Sequence, residues 1–174
     1  MLDLIKKQKL GTWITLGAVV LSLIALIIYG AASSLGKDLE IASASELFYD
    51  SSNVETKGAL SATVAGGVVG LVLLVAAIVL GQFHFDGIVG KICDFVAGAI
   101  RVVAPALLML ALVQFLYASL TGLGWTFFSN EELEIYADAI KTGKLAITTM
   151  VFLVISCVVA IVAAFFAITK KDAE

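Results

Sequence analysis

Few residues in this 174-residue chain are of a type that does chemistry, and they are scattered. Arg101 is the one ionisable residue set within a long apolar stretch, and Pro105, the single proline, follows one helical turn later. A charge at the centre of a bilayer costs at least ~2.5–3.5 kcal/mol, so such an arginine faces protein, water or headgroups. Lining a pore, it would select anions. The run 102–120 carries no charge and is long enough to cross a bilayer alone. That places Arg101 level with the inner headgroups, reached by snorkelling. Pro105 beside it is able to kink the helix.

His84, the only histidine, lies with Asp86 in the segment Gly81-Gln-Phe-His-Phe-Asp-Gly87. The pair has the chemistry of a proton relay. Its alternation with Phe83 and Phe85 reads instead as aromatic anchors with polar tips at a membrane surface. Cys93 and Cys157 stand apart, with no CxxC spacing and no histidine nearby, so no metal or redox motif is present. Cys157 reads as a small buried hydrophobe. No nucleophile–base set and no ligand set for a metal can be assembled. The expectation is therefore a non-enzyme with no cofactor. No carboxylate falls inside the apolar runs, which argues against an ion-coupled site. Gln114, Thr148, Thr149 and Ser156 are the remaining polar groups there, suited to hydrogen bonds between helices. Gly58, Ala62, Gly66 and Gly70 recur every four residues, a helix-packing pattern, with a weaker version at Ser156, Ala160 and Ala164.

The elements that carry these residues follow from composition. The chain is 61% hydrophobic and 14% charged, with a mean hydropathy of +1.07. Soluble domains are about 45–50% apolar and about 25% charged, so the solvent here is lipid. Four apolar runs, about 11–32, 59–80, 95–122 and 145–169, are each long enough to span as a helix. The fold class is an all-α membrane protein, a bundle of four transmembrane helices in one domain. The length leaves no room for a soluble catalytic domain. A net charge of −3 without a long basic run argues against nucleic acid as a partner.

Lys6, Lys7, Lys9, Lys91, Arg101, Lys170 and Lys171 fall on the side of the termini, against Lys37, Lys57, Lys141 and Lys144 on the other. Basic residues stay inside, so both termini are expected in the cytoplasm and the membrane is expected to be the plasma membrane. The outer loops, 33–57 and 123–144, are then acidic. Capping boxes at Ser43–Glu46 and Ser129–Glu132 predict short interfacial helices in them, the second one stopping at Gly143. The stretch before Arg101 reads as an inner interfacial helix, with Ile88, Ile92 and Phe95 on its apolar face.

The two halves look alike. Lys57 pairs with Lys144, Ala59 with Ala146, and Val75-Ala76-Ala77 with Val162-Ala163-Ala164 at one offset. This is the pattern of two parallel helix-hairpin repeats. In span count and orientation alone, the chain resembles the broad group of M-shaped four-span proteins that organise membrane complexes. The expectation is a non-catalytic scaffold or accessory subunit whose partners are lipid and either its own copies or other membrane subunits. The alternative is an oligomeric pore or carrier for a small solute or anion, with Arg101 near the inner mouth.

Overall fold

A computed structural model describes residues 8–34, 46–83, 87–129, 137–166 and 168. All of the regular structure among them is helical. Helix α1 is Leu10–Ser33, α2 is the single turn Glu46–Tyr49, α3 is Val54–Leu80, α4 is Gly87–Gly124 and α5 is Ala137–Ala164. A π-helical turn, Trp125–Ser129, continues α4. The four long helices are each apolar enough and long enough to cross a membrane.

The helices outrun the apolar segments that predict them. Helix α3 begins at Val54 because Asn53 caps it, its side-chain oxygen accepting the Glu55 N–H at 2.9 Å. The amphipathic stretch before Arg101 is no separate surface helix but the first turns of α4. At 1.5 Å per residue the 38 residues of α4 reach about 57 Å, well beyond a hydrocarbon core of about 30 Å. A layer of that thickness could not hold the whole of α4. Gly87, with φ at +70°, turns the chain into this helix. Gly143 is not a stop: α5 runs straight through it. It lies where a Cβ would come within 2.9 Å of the Phe48 and Phe127 rings, so its small size admits two aromatics rather than ending a helix. Helix α5 stops at Ala164, earlier than the apolar run suggests. Ser43, His84, Asp86, the acidic residues 131–134 and the lysines at 6, 7, 170 and 171 lie outside the described residues.

The helices form a ring in which each packs on its neighbours in sequence and α5 closes back on α1. The closest pairs are α3 with α4 and α1 with α5. What sorts the faces is side-chain size. Buried positions on α1 are Gly11, Thr12, Thr15, Ala18, Ser22, Ala25 and Ala32. On α5 they are Ala139, Thr142, Gly143, Ala146, Thr149, Leu153, Ser156, Cys157, Ala160 and Ala163. Most of these positions follow a seam of alternating four- and three-residue steps, the 3.5-residue period of left-handed bundles, with Thr12, Gly143 and Cys157 beside it. The outward faces carry bulky residues such as Val20, Leu23, Ile27, Val68, Val72, Val154 and Val158. Lipid tails are as apolar as leucine, so hydrophobicity does not decide which face turns inward. Close approach of backbones does, and small side chains permit it.

Candidate functional site

The ends of the bundle are built differently. At the end away from the termini, α2 drops Phe48 between the long helices, where it is fully buried against Ala59, Leu60, Phe115, Ala118 and Ala146. Tyr29, Tyr49 and Phe115 surround it, the Tyr29 ring edge-on to both others at centroid distances of 5.0 Å. Gly122 is required here, since a Cβ would run into the Leu47 carbonyl. The Tyr49 hydroxyl is buried with no hydrogen-bond partner among the described residues. Burial pushes its phenol well above the usual tyrosine range. Nearby, the Ser52 side chain and, at 2.7 Å, its N–H hydrogen-bond the exposed Asp50 carboxylate and lower its pKa.

At the termini end the contacts are hydrogen bonds. Gln8 and Gln82 exchange two amide bonds of 2.8 and 3.1 Å. The Thr12 hydroxyl donates to the Ile168 carbonyl at 3.0 Å, and Ile168 lies close over Gly81. Between them sits Arg101, half-buried, whose Nη2 donates to the carbonyls of Ala163 and Phe166. These belong to the last turn of α5 and the residues after it, where the Ala163 carbonyl also accepts the Phe166 N–H at 3.1 Å and the helix dipole is negative. A cation there both caps and neutralises that end. The sequence did carry a signal for this inward placement. Arg101 precedes the buried Ala104 by three residues and Leu108 by seven, on the same seam.

The other singled-out residues separate. Gly66 and Gly70 pack on α4, where a Cβ would lie 2.9 Å from the Leu107 carbonyl and 3.2 Å from that of Ala104. Ala62 lies at the edge of the contact and Gly58 is exposed with nothing near it. The reason is geometric. A four-residue step advances 40° around a helix, so a ladder of fours drifts off the face. The seam that stays in contact is Ala59, Thr63, Gly66, Gly70 and Ala77. Pro105 is buried inside an unbroken α4, and its carbonyl accepts the Cys157 thiol at 3.4 Å.

In mid-bundle, Ser22 and Ser156 meet across α1 and α5 at 2.5 Å and both reach the Ala18 carbonyl, so their two hydroxyl protons fill two of these three contacts at a time. Thr63, Ser119 and Thr149 turn back onto carbonyls of their own helices. Gln114 is different: no hydrogen bond within the chain involves it among the described residues, and it is only partly buried. Around the axis, Leu74 and Leu108 fill the space between Ala18, Ala104, Cys157 and Ala160. The described residues bring no three His, Cys, Asp or Glu side chains together. The arrangement offers a fixed cation, a packed axis and one unpaired amide. Compared with known protein families, curated proteins and solved structures, the chain matches none.

Proposed function

We propose that this chain is a non-catalytic integral membrane subunit that works by packing against further copies of itself or other membrane chains. The observation that carries this reading is Gln114. It lies about 20 Å along α4 from Arg101, inside a core about 30 Å thick. A primary amide left unpaired in hydrocarbon costs several kcal/mol, and with no partner among the described residues this amide favours one from outside the chain. Glutamine suits that role, because one amide both donates and accepts and two copies satisfy each other across a two-fold axis. The Gln8–Gln82 pair is the same bond made within one chain.

The packed axis and the engagement of Arg101 by carbonyls weigh against an anion path through a single copy. The ring order supports a duplication. A pseudo-two-fold relating the hairpins exchanges the two closest pairs, α3–α4 and α5–α1, and Ala59 and Ala146 fall in one buried cluster. The lysine bias supports termini in the cytoplasm and loops outside, in a plasma membrane.

The test is cross-linking. Gln114→Cys in native membranes should give a disulfide-linked dimer, while Met109→Cys on another exposed face should not. Gln114→Leu should reduce oligomer size in nanodiscs. Monomers throughout, together with chloride flux in proteoliposomes that reverses preference in Arg101→Glu, would replace this reading with the pore. Labelling of Lys171→Cys but not Glu134→Cys by an impermeant thiol reagent on intact cells would overturn the orientation.

A further inference from the structure

Arg101 is a shared wall of two cavities. One, of about 220 Å³, opens at the termini end and is lined by Gly81, Asp94, Gly98, Arg101 and Ile168 among others. The second, of about 380 Å³, runs deeper along α4 and α5 past Pro105, Met109, Cys157 and Ile161, and Arg101 is its only charged residue. A small polar chamber at the membrane surface and an apolar groove beneath it, joined at a cation, match an amphiphile in shape.

The charges narrow the choice. Asp94 and Arg101 both line the upper cavity, two helical turns and about 10 Å apart along α4. They are not paired with each other: Arg101 directs Nη2 to the α5 carbonyls, and its Nε has no partner among the described residues. A guanidinium carries five donors, so a phosphate can be bound without releasing those carbonyls. Asp94, seven residues nearer the start of α4, is the shallower of the two. In a phospholipid with an ethanolamine head the phosphate is deep and the ammonium shallow, the same order as Arg101 and Asp94. A glycerol head brings no cation to Asp94, and a choline head has no N–H to donate to it.

We propose that the two cavities together hold one zwitterionic phospholipid with a primary ammonium head. Its phosphate lies on Arg101, its ammonium on Asp94, and an acyl chain in the groove beside Pro105. This site rests on the membrane reading above, though not on the oligomer.

The experiment is native mass spectrometry of the delipidated full chain in detergent. Phosphatidylethanolamine, phosphatidylcholine and phosphatidylglycerol of identical acyl chains are titrated in turn. The wild type should retain one phosphatidylethanolamine per chain, about tenfold more tightly than either of the others, as one charged hydrogen bond predicts. Asp94→Asn should remove most of the preference over phosphatidylcholine. Arg101 substitutions also uncap α5, so the blocking variant is Gly98→Leu. A Cβ at Gly98 meets nothing within 4 Å, so the variant should fold and melt as the wild type does while losing the bound lipid. Equal retention of the three lipids, preference for phosphatidylglycerol, or full retention in Gly98→Leu would each overturn the proposal. Flotation of the reconstituted chain with vesicles tests the membrane reading separately: failure to float refutes both, whereas flotation without lipid selectivity refutes this site alone.

Discussion

The two ends of the bundle close by opposite means. Away from the termini, a ring of aromatics grips Phe48, and the fit depends on Gly122 and Gly143 having no side chain. At the termini end, Gln8 with Gln82, Thr12 with Ile168 and Arg101 with the α5 carbonyls close the structure through polar bonds. Both ends solve the same problem, which is to tie connecting segments to helices whose middles associate through small residues alone. One end depends on shape and the other on charge and backbone dipoles. They should therefore respond to different perturbations.

The largest effect is expected where packing is densest. Phe48→Ala empties a fully buried site, and loss of a core phenylalanine costs about 3–5 kcal/mol. Thermal unfolding in detergent should show a large drop, insensitive to salt. An unchanged melting temperature would show that α2 is a passive loop and that the comparison between the ends is wrong.

At the other end the expected loss is smaller and chemical in origin. Arg101→Leu removes charge-assisted bonds to two carbonyls, and hydrogen bonds to charged groups contribute about 1.5–3 kcal/mol. Arg101→Lys keeps the charge without the planar fork and should recover only part of the loss. Full recovery by lysine would mean that the residue simply reaches for headgroups. Hydrogen exchange in the last turn of α5 is the local readout, since that is the turn Arg101 caps.

How much of this the sequence discloses differs in the same way. The four long apolar helices were legible, because each run is long and apolar enough to stand out in hydropathy over twenty residues. The packing seam was legible only in part. Gly66 and Gly70 stand out, but a ladder counted in fours starts at the exposed Gly58 and misses Ala59 and Thr63. Counting in alternating fours and threes recovers more of the buried set, though it still misses Thr12, Leu60, Gly67, Pro105, Ser119 and Cys157. The Phe48 plug was not legible. Its partners come from α1, α3, α4 and α5, and nothing near Phe48 in the chain distinguishes it from an interfacial aromatic. Gly143 misled for a related reason: a glycine that ends a helix and one that admits a neighbouring ring look the same in one dimension.

Tyr49 allows the aromatic end to be sharpened by a gain rather than a loss. Its buried hydroxyl lacks a partner among the described residues, and an unsatisfied buried group of this kind costs about 1–3 kcal/mol. Tyr49→Phe should keep the ring contact with Phe115 and raise stability by about 1 kcal/mol. The pH response follows from the raised phenol. Its ordinary value is 10.0, and burial holds the folded form neutral after the unfolded chain has ionised. Stability from this site is therefore fully present below pH 10 and falls as the pH rises beyond it. Melting curves from pH 8 to 11 should show that decline in the wild type and a shallower one in Tyr49→Phe. An equal decline in both would remove Tyr49 as its source.

The smallest effect belongs to the middle, which belongs to neither end. Ser22 and Ser156 are fully buried and in contact with each other, and either hydroxyl can donate to the Ala18 carbonyl instead. Removing one hydroxyl leaves the other satisfied by its backbone partner, so no orphaned group remains. Side-chain hydrogen bonds between membrane helices average about 0.6 kcal/mol in double-mutant cycles and reach about 1.7. The Ser22→Ala, Ser156→Ala cycle should give a coupling near the lower figure, because alanine also preserves the small seam on which α1 and α5 meet. A coupling of several kcal/mol would mean that polar bonds, not close backbone packing, hold the centre together. The middle would then resemble the termini end, and the division between a bundle built on shape and one end built on charge would no longer stand.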